Sequence, residues 1–355
     1  MIEVHIAEKI FTGEEWISNH AVIAENDIIS AVVPQQSIPS DAIIVSRTNG
    51  FLAPGFIDIQ IYGAYGSLLS VHPSPETLEK MYHYCKLGGA HFFQPTVATN
   101  TYEVFYRCID AVKDYWHKGG KGAIGLHVEG PWISKAKRGA HIEEYIHSPA
   151  IDQAKALLEY GKDVITMITI APEVCSAEVI KLIQSYGVII SAGHSNATFG
   201  EANDGFSKGI YTATHLYNAM SPLQHRAPGM AGAVMNNPNV MSSIVPDGYH
   251  VDFAAISIAK KVMKNRLFFI TDAVTETTEG PYPHHLNGDK YESNRILSGS
   301  ALTMAKSVKN AVEKAGIDLS EALRMASLYP AQVMKLDNKL GKIAKGYKAV
   351  FYHGD

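Results

Sequence analysis

The feature that most constrains the fold is a repeated alternation between short apolar runs and segments with the spacing of amphipathic helices. The apolar runs are continuous rather than alternating, which is typical of parallel strands covered on both faces. Between two of them, Ser74 and Pro75 have the pattern of an N-cap followed by a first helical residue. In another segment Val179, Leu182 and Ile183 recur at the spacing of one helix face. The predicted strands span residues 56–62, 91–98, 123–129, 164–170, 188–193, 210–215, 241–246 and 267–271.

Eight strand–helix units in succession predict an α/β fold, a TIM-like (β/α)8 barrel over residues 52–340. The alternative, an open doubly wound sheet, lacks the Gly-rich phosphate-binding motif that normally follows its first strand. Short β-rich runs before the barrel and a β-rich tail after it predict a small β-sandwich-like domain built from both termini, residues 1–51 and 341–355. With 355 residues, 46% of them hydrophobic, the chain can bury a large core.

The charge and cysteine content exclude several function classes. The chain has 31 basic and 35 acidic residues in interspersed order, without the basic block that tracks a nucleic-acid backbone, so we expect no nucleic-acid partner. The N-terminal residues show neither a signal peptide nor a membrane span, which predicts a cytoplasmic protein without a membrane partner. The three cysteines, Cys85, Cys108 and Cys175, lack CxxC spacing and are interpreted as packing residues.

Polar residues follow four of the predicted strands at their C-terminal ends, where a barrel of this kind places its active site. These residues are Glu129, His194, His215 and Asp272. Each alone is more simply interpreted as a structural histidine or a helix-capping acid. Together, two imidazoles and one carboxylate match the three-ligand pattern of a catalytic metal site that keeps one position open for water.

The chemistry predicted for such a site is hydrolysis of an amide. A divalent ion lowers the pKa of bound water to roughly 7 and polarises a carbonyl oxygen. Asp272 is interpreted as a carboxylate outside the ligand set, which takes a proton from the attacking water and returns it to the departing amine.

A series of motifs runs in order across nearly the whole chain. They are APGFID, HVEGPWIS with KRGAH, SAGHS, THLYNAMSP, PDGYH, ITDA and SGSALTM. With these motifs the chain resembles the N-acetylglucosamine-6-phosphate deacetylases of the amidohydrolase superfamily. APGFID and ITDA belong to many amidohydrolases, whereas HVEGP, THLYNAM and SGSALTM are particular to sugar-phosphate deacetylases.

The resemblance implies an amidohydrolase-type barrel that converts N-acetylglucosamine 6-phosphate and water to glucosamine 6-phosphate and acetate. It assigns one divalent ion per subunit to Glu129, His194 and His215, with zinc preferred and iron, cobalt or manganese as alternatives. It makes Asp272 the general base and acid, and it gives His141 the role of helping to polarise the acetyl carbonyl.

The resemblance also implies a binding site for a phosphorylated amino sugar, in a homodimer. Arg226 matches the family's phosphate-binding residue, which reaches the site of a partner subunit. A guanidinium suits this role because it offers paired donors to phosphate oxygens and stays charged. The implied substrate-binding residues are Gln60, Ala140, His141, Asn218, Ala219, Arg226, His250, Leu302, Thr303 and Met304.

The chain departs from the family pattern in two places. Many amidohydrolases carry His-x-His after the first barrel strand, but the residues here are Gln60, Ile61 and Tyr62. Glutamine is a poor ligand for transition metals and tyrosine needs a deprotonated oxygen, so a single ion is predicted. Gln60 is expected to face substrate or metal-bound water, and Tyr62 has no assigned role. In the tail, Val350 replaces the family's Asp and the chain ends soon after, so the C-terminal part of the small domain is expected to be short.

Two other functions stay open at this point. One is deacetylation of a related amino-sugar phosphate such as N-acetylgalactosamine 6-phosphate, or another cyclic amidase activity, because an epimer needs the same phosphate and acetyl contacts. The other is a barrel that has lost catalysis. The missing His-x-His pair favours this second alternative, whereas the retained histidines and acids at the strand ends oppose it.

Overall fold

The computed structural model of the chain describes residues 2–293 and 295–355. The strands in these residues are β1 (Ile2–Phe11), β2 (Trp16–Ser18), β3 (His20–Glu25), β4 (Ile28–Pro34), β5 (Ile43–Pro54), β6 (Phe56–Ile61), β7 (Gly63–Ala64), β8 (Ser67–Leu68), β9 (Ala90–Ala98), β10 (Leu126–Glu129), β11 (Ile165–Ile170), β12 (Ile189–Ala192), β13 (Thr212–Ala213), β14 (Met241–Ile244), β15 (Leu267–Phe269), β16 (His285–Asn287), β17 (Lys290–Ser293), β18 (Ile296–Ser300) and β19 (Phe351–Gly354). The α-helices are α1 (Pro75–Leu87), α2 (Tyr102–His117), α3 (Ile151–Tyr160), α4 (Ala177–Ser185), α5 (Phe199–Ser207), α6 (Gly229–Asn236), α7 (Phe253–Met263), α8 (Met304–Glu313), α9 (Leu319–Ala326) and α10 (Leu328–Val333).

The centre of the molecule is an eight-stranded parallel sheet in the order β6-β9-β10-β11-β12-β13-β14-β15. Each of the eight predicted apolar runs supplies one of these strands, so the predicted barrel is confirmed. Some strands are shorter than predicted. Of residues 210–215 only Thr212–Ala213 is strand, because the chain turns at His215 and Tyr217 with φ of 38° and 76°.

Helices pack around the barrel on the faces that their sequences predict. The hydroxyl of Ser74 accepts a hydrogen bond from the backbone N–H of Thr77 at 3.3 Å and begins α1, as its capping pattern indicates. In α2, Phe105, Ile109 and Val112 recur at helical spacing and are fully buried. The apolar stripe of α2 therefore packs into the hydrophobic cluster that it shares with the barrel strands.

The first and last strands of the barrel meet at their C-terminal ends, and we call this junction the seam. The backbone N–H of Asp272 donates to the carbonyl of Gln60 at 3.0 Å. The backbone N–H of Tyr62 donates to the carbonyl of Ala273 at 2.9 Å. The barrel ring is thus completed at the end where the predicted site residues lie.

Asp58 on β6 supports the seam from inside the barrel. Its carboxylate accepts hydrogen bonds from the backbone N–H and the hydroxyl of Thr271, at 3.2 and 2.5 Å. Burial raises the pKa of Asp58 to about 6, although these hydrogen bonds act in the opposite direction. Between about pH 4 and 6 the folded chain therefore binds a proton at a site that is ionised in the unfolded chain.

The substitution Asp58→Asn should change how stability depends on pH. From about pH 4 to 6 the stabilising contribution of Asp58 falls as pH rises, because the folded state binds more protons than the unfolded state. Relative to the variant, the free energy of unfolding of the wild type should therefore decline by about 3 kcal/mol across this window and then stay level. Urea titrations of both proteins at a series of pH values measure the difference. If the difference in free energy of unfolding between the two proteins were the same at every pH, the pKa of Asp58 would not be raised.

The small domain is a six-stranded sheet with the strand order β19-β5-β1-β3-β4, in which β2 pairs with β1. β19 from the C-terminal segment pairs antiparallel with β5, which confirms that both termini build this domain. The sheet packs on the barrel through Phe11 and Trp16, and the rings of Phe56 and Tyr352 stack with centroids 4.3 Å apart. β5 continues past residue 51, and the domain bounds inferred from the sequence stay a prediction.

An additional three-stranded antiparallel sheet, β16-β17-β18, lies between β15 and α8. A bridge between Ala273 and Ser300 joins its last strand to the seam. The sheet therefore stands beside the barrel mouth. It was not predicted, because its strands are only three to five residues long and alternate too little in burial to give a period-two pattern.

The three cysteines are buried and free, which confirms their interpretation as packing residues. They belong to the main hydrophobic cluster of the barrel and its helices. Among the described residues, no helix combines the length and the apolar composition that crossing a bilayer requires.

Candidate active site

The four polar residues predicted at strand ends converge at the barrel mouth. Glu129 is the last residue of β10, and His194, His215 and Asp272 follow β12, β13 and β15 within three residues. The latter three have positive φ angles of 47°, 38° and 54°, a costly conformation for residues other than glycine. All four are at most 8% exposed. The turns after the strands therefore hold these residues in place at the expense of local backbone strain.

Three atoms at the mouth form a compact group that we call the acceptor triangle: Oε1 of Glu129, Nε2 of His194 and Nε2 of His215. Oε1 lies 3.2 Å from the first nitrogen and 3.1 Å from the second. The two nitrogens lie 3.1 Å apart. The three sides of the triangle are thus nearly equal.

The outer nitrogens of both imidazoles face backbone carbonyls. Nδ1 of His194 lies 3.0 Å from the carbonyl of Lys137, and Nδ1 of His215 lies 3.2 Å from that of Asn218. A carbonyl only accepts hydrogen bonds, so each Nδ1 carries the hydrogen and each neutral ring has a bare lone pair at Nε2. This second contact is typical of histidines that ligate metals.

With both rings neutral, the acceptor triangle brings three lone pairs together without a hydrogen among them, which favours a cation at its centre, either a proton or a metal ion. Burial lowers the pKa of His194 to about 4, so this ring is neutral. The pKa of His215 is raised because Glu129 outweighs the effect of burial. The imidazoles likewise hold the pKa of Glu129 well below its usual value, although burial alone raises it. A tetrahedral ion with ligands at about 2.0–2.2 Å separates its ligand atoms by about 3.4 Å, which the triangle nearly matches.

A fourth side chain, His141, contacts the other oxygen of Glu129. Its Nε2 lies 3.2 Å from Oε2, and its Nδ1 lies 2.7 Å from the hydroxyl of Thr99. Glu129, His141 and His194 also have ligand atoms within 4.8 Å of one another, so this second combination could hold an ion. The site thus offers two overlapping ligand sets that share Glu129 and His194.

Gln60 and Tyr62 form a neutral bridge between the two acids of the site. The hydroxyl of Tyr62 donates to Oε2 of Glu129 at 2.5 Å and accepts from Nε2 of Gln60 at 2.7 Å. The same amide nitrogen lies 3.1 Å from Oε1 of Glu129 and 2.9 Å from Oδ1 of Asp272. Burial raises the pKa of Tyr62 well above its usual value, and the two acids add to this effect. Tyr62 is therefore a neutral phenol that orients Glu129, a contact that its sequence position did not reveal.

Asp272 has one oxygen engaged and one oxygen free for proton transfer. Oδ1 accepts the hydrogen bond from Gln60, whereas Oδ2 lies 3.5 Å from Nε2 of His250. Burial raises the pKa of Asp272, while His250 and His215 partly oppose this. Asp272 therefore takes up a proton more readily than an exposed carboxylate does.

These groups lie at the bottom of a pocket with a volume of about 870 Å³ including its open mouth. Ala140, His141, Asn218, Ala219 and His250 line it, as their predicted role in substrate binding requires. The remaining lining residues are Tyr62, Leu68, Ser70, Ala98, Glu129, Gly139, His194, His215, Asp272, Val274, Tyr282, His284, Leu297 and Ser298.

Several of these residues had no signal in the sequence. Tyr282, His284, Leu297 and Ser298 lie in or next to the three-stranded sheet, outside the strand–helix repeat. Nδ1 of His284 lies 2.8 Å from the hydroxyl of Ser298, so this wall of the pocket has a polar pair of its own. Such contacts depend on how an insertion folds over the mouth, which no spacing rule describes.

Five residues predicted to bind substrate do not line this pocket, and one of them, Gln60, is 2% exposed with its amide bonded to Tyr62, Glu129 and Asp272. Leu302, Thr303 and Met304 lie at the start of α8, where the carbonyl of Leu302 accepts from the hydroxyl of Tyr84. Arg226 is exposed and lines a separate surface cavity beside the start of α5. Their roles in substrate binding stay predictions.

Comparison with known proteins places these observations in a family. The chain matches the model of the amidohydrolase family over residues 51–352 and that of the NagA composite domain over residues 7–46. It is 36% identical to the N-acetylglucosamine-6-phosphate deacetylase of Haemophilus influenzae over 95% of this chain and 91% of that protein. It is 28% identical to the N-acetylgalactosamine-6-phosphate deacetylase of Escherichia coli O157:H7 over 98% of this chain and 94% of that protein.

The fold is similar to solved structures over its full extent. The crystal structure of N-acetylglucosamine-6-phosphate deacetylase from Pasteurella multocida aligns with a TM-score of 0.93 at 35% identity. The alignment covers 98% of this chain and 94% of that one. Both the barrel and the small domain therefore have counterparts in this relative.

Proposed function

Because the chain belongs to the amidohydrolase family, whose model matches residues 51–352, we propose that it hydrolyses N-acetylglucosamine 6-phosphate to glucosamine 6-phosphate and acetate. One observation carries the proposal: the acceptor triangle of Glu129, His194 and His215 lies beside Asp272, a carboxylate with a free oxygen. The deacetylases found as relatives support the choice of substrate.

We infer one divalent ion per subunit at the acceptor triangle, with zinc preferred and iron, cobalt or manganese as alternatives. When bound, such an ion lowers the pKa of water to roughly 7 and withdraws charge from a carbonyl oxygen. The triangle is favoured over the combination that includes His141, because His141 faces the opposite oxygen of Glu129. The neutral Gln60–Tyr62 bridge occupies the remaining side of Glu129 and supports a single ion.

Asp272 moves the proton in the proposed reaction. Its Oδ2 takes a proton from water as the water oxygen bonds to the acetyl carbon, because Oδ1 is engaged by Gln60. The protonated carboxyl then delivers this proton to the sugar nitrogen as the carbon–nitrogen bond breaks. Without this second transfer the nitrogen would have to leave as an anion, which is a strong base and therefore a poor leaving group.

His141 is proposed to stabilise the negative charge that develops on the acetyl oxygen. The hydroxyl of Thr99 lies 2.7 Å from Nδ1 of His141. Nε2 of His141 lies 3.2 Å from Oε2 of Glu129, so a hydrogen on Nε2 has to turn from this oxygen to the acetyl oxygen as substrate binds. A donor of this kind is most effective when it points at the position where charge develops.

The sugar phosphate is proposed to bind between two subunits of a homodimer. Arg226 is exposed and lies outside the pocket of its own subunit. A guanidinium in this position serves phosphate recognition only if it reaches the pocket of a partner. Gln60, the residues at 302–304 and the five predicted pocket residues would complete the substrate contacts. We place the enzyme in the cytoplasm, because a sugar phosphate is charged and does not cross a bilayer unaided.

The experiment that tests this function is acetate release by protein whose ion content has been counted. The three substrates are N-acetylglucosamine 6-phosphate, N-acetylgalactosamine 6-phosphate and unphosphorylated N-acetylglucosamine. We expect turnover of N-acetylglucosamine 6-phosphate with about one ion per chain. Unphosphorylated N-acetylglucosamine should react much more slowly, because it lacks the group that Arg226 binds. Absence of turnover on every substrate by ion-loaded protein would refute the proposed function. Failure to bind any ion after reconstitution would instead favour a non-catalytic barrel.

A second candidate function is deacetylation of N-acetylgalactosamine 6-phosphate. The specific observation in its favour is the relative of that name from Escherichia coli, which aligns over 98% of this chain. The two sugars differ in the orientation of one hydroxyl, so the same assay with both substrates in competition decides between them. A higher kcat/KM for the galactose epimer would replace the first proposal by the second.

The variant Arg226→Ala is the matched control for the phosphate part of the assay. It should raise KM for the phosphorylated sugar and leave the slow reaction of the unphosphorylated sugar unchanged. Mixing this variant with Asp272→Asn protein should restore activity if Arg226 acts on a partner, because a mixed dimer has one pocket with both residues. No recovery after mixing would contradict the shared site.

A further inference from the structure

Asp247 is a buried acid next to the site that the proposed reaction does not use. It lies in the loop between β14 and α7, and its side chain is 2% exposed. Oδ1 accepts hydrogen bonds from the backbone N–H groups of Tyr249 and His250, both at 2.8 Å. Oδ2 lies 2.6 Å from Nδ1 of His250. One carboxylate thus holds both the backbone and the ring of His250.

The contacts of Asp247 determine which nitrogen of His250 carries hydrogen. A carboxylate that receives two backbone hydrogen bonds is stabilised in its ionised, accepting form. Consistent with this, the pKa of Asp247 is lowered: burial raises it, but the contacts with His250 and the backbone outweigh burial. Nδ1 of His250 must then be the donor, so a ring that carries a single hydrogen has its lone pair at Nε2.

This lone pair faces the free oxygen of Asp272. Nε2 of His250 lies 3.5 Å from Oδ2 of Asp272, while Oδ1 is engaged by Gln60. The other charged or titratable groups that act on Asp272 are His215, Glu129, His194, Asp58 and Tyr62. Among these neighbours, His250 is the one whose ring nitrogen directly faces Oδ2.

We propose that Asp247 is a positioning residue that fixes His250 as a hydrogen-bond acceptor for protonated Asp272. The inference rests on the proposed function. When Oδ2 of Asp272 takes the proton from the attacking water, the new O–H bond points at Nε2 of His250. The proton stays on Asp272, the imidazole stays neutral, and the O–H hydrogen is then delivered to the departing nitrogen. The separation of 3.5 Å shortens as the hydrogen bond forms, as is common for catalytic contacts in proteins without substrate.

A purely structural role is the competing explanation, since Asp247 also closes a tight turn through its backbone contacts. The substitution Asp247→Asn separates the two roles. The amide oxygen can still accept both backbone hydrogen bonds, but the amide NH2 now faces Nδ1 of His250. The ring is then driven into the other tautomer, with hydrogen on Nε2 directed at Asp272.

We expect Asp247→Asn to lower kcat by about 100-fold, with KM changed by less than about threefold. In the variant the Nε2–H group of His250 donates to ionised Asp272 and lowers the pKa of this carboxyl. The fall of kcat at acidic pH should therefore occur at a lower pH than in the wild type. Nitrogen NMR of histidine-labelled, zinc-loaded protein reports the tautomer directly, and the missing signal of His250→Gln assigns it. Wild-type protein should show hydrogen on Nδ1 of His250, and the variant should show it on Nε2.

A double-mutant cycle with His250→Gln distinguishes action through the imidazole from a general loss of structure. If Asp247 acts through His250, adding Asp247→Asn to His250→Gln should cost little further activity. Additive losses, or a loss of kcat without a change of tautomer, would overturn the proposal. So would a change of tautomer that leaves kcat within about threefold of the wild type. The NMR result on the wild type needs no turnover, so hydrogen on Nε2 there refutes this inference whether or not the proposed function holds.

Discussion

Asp272→Asn should lower kcat by about 1,000-fold while the ion content of the purified protein stays unchanged. The amide cannot take a proton from water or return one to the departing nitrogen. Its oxygen can still accept the hydrogen bond from Gln60, and its NH2 can face the lone pair of His250, so the surroundings tolerate the change. Acetate release and elemental analysis on the same sample measure the two quantities.

Asp114→Asn is the matched control for this substitution, because Asp114 is exposed on α2 and away from the pocket residues. It should keep wild-type activity and ion content. An Asp272→Asn variant that retained more than about a tenth of the wild-type kcat would mean that another group transfers the proton. Loss of the ion in that variant would instead make Asp272 part of the ligand set.

Glu129→Gln should remove the ion and with it nearly all activity. Glu129 is the only negative member of the acceptor triangle, and it is 1% exposed. The amide NH2 of glutamine can donate to Nε2 of His194 or His215, so the lone pairs are satisfied without a cation. Elemental analysis should therefore find far less than one ion per chain, with acetate release reduced in proportion.

The stability of this variant provides an independent measurement. Wild-type protein should gain in thermal midpoint when the ion is added, because a ligand that binds only the folded state stabilises it. Glu129→Gln should show no such gain. It should also be more stable than wild-type protein stripped of its ion. In that protein the buried carboxylate of Glu129 faces the lone pairs of His194 and His215 without a cation between them.

Two histidine variants then separate the overlapping ligand sets. His215→Asn should lose the ion if the acceptor triangle binds it, whereas His141→Asn should keep the ion and lose activity. The reverse pattern would assign the ion to Glu129, His141 and His194. An exposed glutamate such as Glu178 on α4 supplies the control substitution for Glu129→Gln.

The barrel and the convergence of its polar residues could be predicted because both follow from repeated local rules. A continuous apolar run marks a strand with two covered faces, and parallel strands all end on one side of the sheet. Glu129, His194, His215 and Asp272 therefore had to meet if the eight runs formed a barrel. The residues at which the strands end were less predictable. A strand such as β13 ends where His215 takes a positive φ angle, and the contacts of the assembled site hold His215 in that conformation.

The remaining parts of the site depend on contacts that no local pattern encodes. Tyr62 could not be given a role, because its partner Glu129 is 67 residues away in the sequence. The sheet that supplies Leu297 and Ser298 to the pocket has strands too short for a clear period. Asp247 lies in a recognisable motif with His250, but only the three-dimensional contact between their side chains indicates a fixed tautomer.

The seam has a consequence for how the enzyme becomes active during folding. Gln60 and Asp272 are 212 residues apart, and contacts of such separation form late because closing a long loop costs entropy. Both residues also belong to the site, where Gln60 orients the oxygen atoms of Asp272. Closure of the ring and assembly of the proton-transfer group are therefore the same event. A partly folded chain with most of its helices in place would still be inactive, because hydrolysis begins only when the first and last strands have met.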